Sequence, residues 1–216
     1  PALQHAVSKG SKSGIQEFIL GMAHRGRLSV LANIFNKPYS RLFDEFEGVI
    51  YEDDEFDGDV KYHLGYNYKK QLDDGGYIEL SLAPNPSHLE AVGPIVQGIS
   101  RSKIEKKYSG NNSKLLPILI HGDAAIAGQG VVYELVQMSQ LKGYRTGGTI
   151  HIVINNQVGF TTNYLDGRSS TYSTDVAKTI SSPVLHVNGD DVEAVVHTIN
   201  FAIEYRQRFQ KDVFID

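Results

Sequence analysis

The sequence predicts an α/β protein with a mostly parallel sheet flanked by helices. In the second half of the chain, short apolar and β-branched runs alternate with segments of helical spacing. This alternation is typical of βαβ units, whose parallel strands are covered by helices on both faces. Hydrophobic residues make up 41% of the 216 residues, which is enough for one sizeable core. We therefore expect one α/β unit.

Strands and helices alternate most regularly after residue 114. The apolar run 115–120 ends at the turn-prone His121-Gly122-Asp123, as a buried strand does. Apolar residues then recur at helical spacing over 131–141, and again over 192–203 behind a potential cap at Asp190 and Asp191. The strands of this half are predicted at 115–120, 149–154, 184–187 and 213–215.

The first half of the chain has a less regular pattern. Its predicted elements are strands at 17–20 and 77–82 and helices at 28–35, from Pro38 to about 46, and from Ser87 to about 107. The acidic stretch 45–59 is predicted to be an exposed loop, and His5 to lie in a loose terminus. We expect this half to be a long N-terminal insertion in the α/β unit, and not a second domain.

The composition excludes several classes of protein. The chain has no cysteine, so disulfides and thiolate metal sites are ruled out. The net charge is −4 without a long basic run, and we therefore expect no nucleic-acid partner. The longest aliphatic stretch, 115–120, is too short to cross a bilayer, and we expect no membrane association. Because the chain starts at Pro1 and stops after an apolar run at Asp216, we expect a piece of a longer protein.

Two polar residues carry the first functional hypothesis. Asp123 follows the predicted strand 115–120, and Asn156 follows the predicted strand 149–154. Ligands of open parallel sheets bind beyond the carboxyl ends of the strands, so these side chains converge if the two strands are neighbours. A carboxylate oxygen and an amide oxygen suit Mg²⁺, which completes its coordination with phosphate oxygens and water.

Small residues around Asp123 extend this hypothesis to a diphosphate. Gly122, Ala124 and Ala125 let phosphates approach the backbone, and the helix start after Gly128 offers free N–H groups. A purely structural role stays open for each part, because Gly-Asp after a strand is a common turn and Asn-Asn a common strand end. Neither the P-loop motif nor the Gly-x-Gly-x-x-Gly motif occurs in the sequence.

Four blocks of residues connect this pattern to a known family. Gly-Asp with a small third residue, followed by a helix and Asn-Asn, is similar to the motif that binds thiamine diphosphate through Mg²⁺; Ala124 replaces the commoner glycine. The blocks are GMAHRGRL at 21–28, GDVKYHLG at 58–65, NPSHLEA at 85–91 and HGDAA at 121–125. In this order, from about Gly21 to Asp216, the sequence closely resembles the E1 component of 2-oxoglutarate dehydrogenase.

The resemblance implies roles for particular residues. Mg²⁺ would be bound by the side chains of Asp123 and Asn156 and by the backbone carbonyl of Val158, where relatives often carry isoleucine. Thiamine diphosphate would be held by these three residues and by Arg25, Leu89, Ala124 and Ala125, with Arg25 on the diphosphate. The 2-oxo acid would be held by His24, His63 and Ser87. No role is implied for His88 or His121.

The resemblance also implies an activity for the complete protein. This activity would be oxidative decarboxylation of 2-oxoglutarate in the tricarboxylic acid cycle, with the succinyl group passed to the lipoyl group of a separate acyltransferase subunit. Residues 1–216 would be the diphosphate-binding domain, and the pyrimidine-binding domain would lie outside this chain. The complete protein would be a homodimer in the bacterial cytoplasm or the mitochondrial matrix, and this fragment alone would be inactive.

Two alternatives stay open at this point. An E1 component that acts on 2-oxoadipate would share nearly every block named above. A fragment that binds or assembles without catalysis would keep the fold and lose the chemistry. A transition-metal site made of histidines is not favoured, because the sequence has no His-x-x-x-His or comparable pair.

Overall fold

The predicted α/β class is confirmed by the computed structural model, which describes residues 1–47, 63–72, 75–159 and 162–216. The strands in this part of the chain are β1 Glu17–Met22, β2 Tyr66–Gln71, β3 Tyr77–Leu82, β4 Leu115–Gly122, β5 Ile150–Ile154, β6 Val184–Leu185 and β7 Val213–Ile215. They form one sheet in the order β2-β3-β1-β4-β5-β7-β6. Every pairing is parallel except that of β2 with β3.

Helices cover both faces of this sheet. In the described residues they are α1 Ala2–Lys12, α2 Arg27–Asn33, α3 Tyr39–Phe46, α4 Val92–Tyr108, α5 Asp123–Gly128, α6 Gly130–Met138, α7 Tyr164–Gly167 and α8 Val192–Phe209. A 3₁₀ helix, Ser173–Ile180, packs against α5 and α6. Across the same described ranges, no helix has both the length and the apolar composition that a membrane span needs.

The two faces of the sheet have separate apolar cores. In β1, Phe18 and Leu20 point to the core that includes residues of α1 and α8, and Ile19 points to the core under α4. All six residues of β1 are buried, which explains its nearly continuous apolar run, since a strand covered on both faces has no polar side. The alternation of side chains across the sheet therefore distributes one apolar strand over two cores.

Several element boundaries differ from the prediction. The helix predicted from Ser87 begins at Val92, which places Pro94 in its first turn, where proline is tolerated. The helical spacing over 131–141 extends past the end of the helix itself, which is at Met138. The predicted helix cap before α8 is confirmed at Asp191, whose Oδ1 accepts a hydrogen bond of 3.0 Å from the Ala194 backbone N–H.

The first half of the chain contributes directly to the sheet. It supplies β1, β2 and β3, and β1 pairs with β4, so a long N-terminal insertion is not confirmed. The predicted loose terminus is wrong. His5 lies in α1, and its Nε2 is 2.8 Å from Asn200 Oδ1 on α8. Packing of α1 on α8 orders a segment whose own sequence gives a weak helical signal.

The predicted acidic loop 45–59 is wrong at its start. Glu45 belongs to α3, is buried, and its Oε1 accepts a 2.5 Å hydrogen bond from Lys37 Nζ, which is also buried. Residues 48–59 lie outside the described residues. Glu45, the first residue of the acidic stretch, is thus paired with the buried Lys37, and the local pattern of charges does not reveal this pairing.

Glu17 is a buried carboxylate at the amino end of β1. It accepts hydrogen bonds from Lys103, from Lys107 Nζ at 3.1 Å and from the Tyr108 hydroxyl at 3.0 Å. Burial alone would raise the pKa of Glu17, but the hydrogen bonds and positive charges of Lys103 and Lys107 outweigh burial and lower it. The ionised carboxylate therefore joins α4 to the sheet.

Replacing Glu17 should make stability less dependent on acid pH. Because the pKa of Glu17 is lowered from 4.5 in the folded chain, its contribution is complete above about pH 4.5 and is lost as pH falls through the folded pKa. We expect Glu17→Gln to lower the free energy of unfolding by about 1–3 kcal/mol at pH 7, and the difference from wild type to shrink below pH 4.5. Urea denaturation between pH 3 and 7 measures both quantities.

The matched control is Glu79→Gln. Glu79 accepts a hydrogen bond from the same Lys107 at 2.5 Å, but its side chain is 44% exposed. Exposed ion pairs contribute about 0–1 kcal/mol. A Glu17→Gln effect that is constant across the pH range, or no larger than the control's, would contradict the assignment.

Candidate functional site

The two segments that follow β4 and β5 begin side by side. These strands are parallel neighbours, and Gly122 is paired with Ile154 at their carboxyl ends. The sequence analysis required β4 and β5 to be neighbours for Asp123 and Asn156 to converge, and they are neighbours. Asp123, which begins α5, and Asn156, in the segment after β5, line the same cavity of about 240 Å³.

This cavity, called here the edge cavity, collects the residues predicted for the cofactor. Its wall contains all seven of them: Arg25, Leu89, Asp123, Ala124, Ala125, Asn156 and Val158. His24, predicted for the substrate, also lines it. The residues come from four separate segments, so only the folded sheet brings them together.

The other two substrate candidates lie beside the edge cavity. Ser87 lines a small neighbouring pocket of about 20 Å³, whose wall also includes His24 and Leu89. The buried His63 has its ring centroid 6.2 Å from that of His24. His24 thus links the other two candidates to the edge cavity, because it lines that cavity, shares the neighbouring pocket with Ser87 and lies close to His63. Residues 58–62 of the block that contains His63 lie outside the described residues.

The two side chains predicted for Mg²⁺ differ in exposure. Asp123 is 2% exposed, and its Oδ2 lies 3.5 Å from Arg168 Nη1. Asn156 is exposed, and its Oδ1 accepts a 3.1 Å hydrogen bond from the Val158 backbone N–H. Gln157, between Asn156 and Val158, has a φ of +57°, in the left-handed region.

The donor set fits a hard cation. In the described part of the chain, no group of three His, Cys, Asp or Glu side chains is arranged to hold a metal. A carboxylate, an amide oxygen and a backbone carbonyl leave several positions for phosphate oxygens and water, as Mg²⁺ requires. They would serve zinc poorly, since zinc sites take most of their ligands from cysteine sulfur and histidine nitrogen.

Close contact between the two loops depends on Gly159. A Cβ added at this residue would lie 2.5 Å from the Ala124 Cβ, which is closer than real side chains approach. The loop after β5 can therefore touch the start of α5 only because residue 159 is glycine and residue 124 is small. Gly159, three residues after Asn156, is the sequence signal for this contact.

Arg168 was missed by sequence reasoning. Its guanidinium lies near Asp123 and over the Tyr164 ring, with 5.5 Å between the guanidinium carbon and the ring centroid. Both residues line a second cavity of about 350 Å³ that also includes Asp123 and Gln157. None of the quoted blocks contains Arg168, so no local pattern indicated its position.

A chain of buried polar groups supports the wall of the edge cavity. Glu90 Oε2 is 2.6 Å from His121 Nδ1, and His121 Nε2 is 3.0 Å from His151 Nδ1. Glu90 has a φ of +65°, which is strained for a residue with a side chain. The hydrogen bond between Glu90 and His121 thus joins the loop that carries Leu89 to β4, and gives His121 a structural contact that the sequence did not assign.

His151, in the middle of β5, is packed in the core. Its ring stacks on Phe214 with 4.1 Å between centroids and 4° between planes. Burial lowers the pKa of His151, more strongly than the hydrogen bond and charge of Asp212 raise it. The neutral imidazole is therefore the favoured form in this position.

Comparison with known proteins gives a consistent result. The family described as "Dehydrogenase E1 component" matches residues 2–216. The chain is 51% identical to "2-oxoglutarate dehydrogenase, mitochondrial" of Dictyostelium discoideum. It is also 51% identical to "2-oxoglutarate dehydrogenase E1 component" of Azotobacter vinelandii. Both matches cover 100% of this chain, and 22% and 23% of the respective relatives.

These matches cover the whole of this chain but only a small part of each relative. A third relative, the "Multifunctional 2-oxoglutarate metabolism enzyme" of Mycolicibacterium vanbaalenii, is 51% identical over 100% of this chain and 18% of its own length. The chain therefore spans about a fifth of the length of the curated relatives it matches. Because the family match extends over nearly every residue, the chain belongs to the dehydrogenase E1 component family.

Proposed function

We propose that residues 1–216 are the diphosphate-binding domain of a thiamine diphosphate- and Mg²⁺-dependent 2-oxo acid dehydrogenase. One observation carries the proposal: all seven residues expected for the cofactor line the edge cavity. The substrate proposed is 2-oxoglutarate, the compound that the relatives' names contain. The complete protein would be a homodimer that passes a succinyl group to a lipoyl-bearing acyltransferase subunit in the tricarboxylic acid cycle. Its location would be the bacterial cytoplasm or the mitochondrial matrix.

The residues of the edge cavity have chemistry suited to a magnesium diphosphate. Asp123 and Asn156 would bind Mg²⁺ through side-chain oxygens, and Val158 through its backbone carbonyl. Arg25 is exposed at the cavity, and its planar guanidinium can donate two hydrogen bonds to phosphate oxygens. Burial of Asp123 strengthens its attraction for a cation, because little water screens the charge.

The substrate residues would orient a dicarboxylate beside the cofactor. When bound, thiamine diphosphate supplies a nucleophilic carbon and an electron sink for the loss of CO₂. His24 and His63, with ring centroids 6.2 Å apart, would donate hydrogen bonds to the substrate's carboxylate and carbonyl oxygens. Ser87 would add a hydroxyl donor from the neighbouring loop. Holding the substrate in one orientation is itself a large part of catalysis in such sites.

Loss of Asp123 should abolish tight cofactor binding. Removing even an outer-shell partner of a metal ligand costs about 10–100-fold in affinity, so we expect Asp123→Ala in the full-length protein to weaken thiamine diphosphate binding at least about 100-fold. Isothermal titration calorimetry at saturating Mg²⁺ measures this. The control is Asp190→Ala, an exposed carboxylate outside the edge cavity. Wild-type affinity in Asp123→Ala would contradict the proposed site, and no binding by wild type would favour the assembly alternative.

The preference of the full-length protein for 2-oxoglutarate over 2-oxoadipate should be measurable as a ratio of kcat/KM values. 2-Oxoadipate is one methylene longer than 2-oxoglutarate, and one methylene changes specificity by about 10–200-fold. We expect the full-length protein to prefer 2-oxoglutarate by a ratio in that range. Steady-state rates with each acid, in the presence of thiamine diphosphate and Mg²⁺, give the ratio. A ratio in favour of 2-oxoadipate would support that alternative.

The isolated chain should decarboxylate neither acid. The resemblance implies that the pyrimidine-binding domain lies outside this chain and that two protomers form each site. A CO₂-release assay on purified residues 1–216, run beside the full-length protein at equal concentration, tests this expectation. Turnover by the fragment at a rate comparable with the full-length protein would contradict the domain assignment.

A further inference from the structure

Arg27 is a fully buried arginine whose hydrogen bonds join three segments of the chain. Its Nη1 donates to the Met22 carbonyl at 3.2 Å, and its Nη2 donates to the carbonyls of Leu64 at 2.9 Å and Ala83 at 2.6 Å. Its exposure is 0%. All three carbonyls lie at the edge of the sheet where the parallel strands β1 and β3 end and the antiparallel strand β2 begins.

Each of these segments carries one of the residues proposed for the substrate. His24 is two residues after the first carbonyl, His63 directly precedes the second, and Ser87 is four residues after the third. The guanidinium of Arg27 is thus the shared hydrogen-bond donor to backbone carbonyls that lie within four residues of all three.

No carboxylate of the described residues pairs with the charge of Arg27. Within the described residues, its ion is held by backbone carbonyls alone, and Nε has no hydrogen-bond partner. Desolvation lowers the pKa of Arg27 to about 10, so the guanidinium remains charged at neutral pH. Burying an ion in this way costs stability that an apolar side chain would not cost. Its benefit must therefore lie in the geometry that it fixes.

Arg206 provides a structural comparison at the opposite edge of the sheet. It is also fully buried, and it donates to the carbonyls of Leu115, Thr146 and Gly148, at or just before the start of β4 and β5. None of the proposed cofactor or substrate residues adjoins these carbonyls. Arg206 therefore has the same kind of contact without a site beside it.

We propose that Arg27 is a positioning residue that fixes His24, His63 and Ser87 relative to one another, and thereby determines affinity for the dicarboxylate substrate. The role of these three residues toward substrate rests on the proposed function. The geometric part of the inference, that Arg27 fixes their separation, does not depend on it.

The kinetic test compares Arg27→Lys with Arg206→Lys in the full-length protein. Lysine keeps the charge, but its single ammonium group cannot reproduce the planar fork. A misplacement of about 1 Å can cost about 100-fold in rate, so we expect Arg27→Lys to raise KM for 2-oxoglutarate at least about tenfold and to change the Kd for thiamine diphosphate less than threefold. Arg206→Lys should lower the Tm and leave KM within about twofold of wild type.

A crystal structure of each full-length variant tests the geometry without substrate. In Arg27→Lys, and in Arg27→Gln as a second variant, we expect the His24 and His63 ring centroids to move by at least about 1 Å from their separation of 6.2 Å. In Arg206→Lys the separation should not change. Unchanged separation and unchanged KM in the Arg27 variants would overturn the inference. A wild-type protein inactive on 2-oxoglutarate would refute the proposed substrate, while the structures would still decide the role of Arg27.

Discussion

The parallel pairing of β4 with β5 is the constraint on which the candidate site depends. Because Gly122 is paired with Ile154, the segments that begin at Asp123 and Asn155 leave the sheet at the same edge and side by side. Gly159 then allows the backbone of the loop after β5 to contact Ala124. Any residue with a side chain at position 159 would collide with the Ala124 side chain. A buried carboxylate and an exposed amide, separated along the chain, therefore share one cavity.

Buried charged side chains lie at both the amino ends and the carboxyl ends of the strands, and their hydrogen-bond partners differ in kind. Glu17 has lysine and tyrosine partners, whereas Arg27 and Arg206 are held chiefly by backbone carbonyls. An arginine with several carbonyl acceptors can tie together the ends of neighbouring strands, because its fork donates in several directions. At the carboxyl edge, the same arrangement coincides with the loops that carry the proposed substrate residues.

Prediction from the sequence succeeded where the pattern was local and strong. The strand at 115–120, the cap at Asp191 and the α/β class were all recognisable, because buried strands and capped helices have short-range signatures. The helix α1 and the strand β2 were missed, since their order comes from packing on α8 and from pairing with β3. Glu90 and Arg168 were missed for the same reason: a strained φ and a contact over 45 residues leave no mark in a local pattern.

By itself, the sequence determined the alternation of strands and helices, the residue types suited to a metal and a diphosphate, and the blocks that relate this chain to its family. Only the tertiary structure decided that the first half supplies three strands of the same sheet, and that seven cofactor candidates line one cavity. The physical reason is that periodicity reports which face of an element is apolar. Strand order, loop contact and the partners of buried charges are decided by free energies of packing between segments that are distant in sequence.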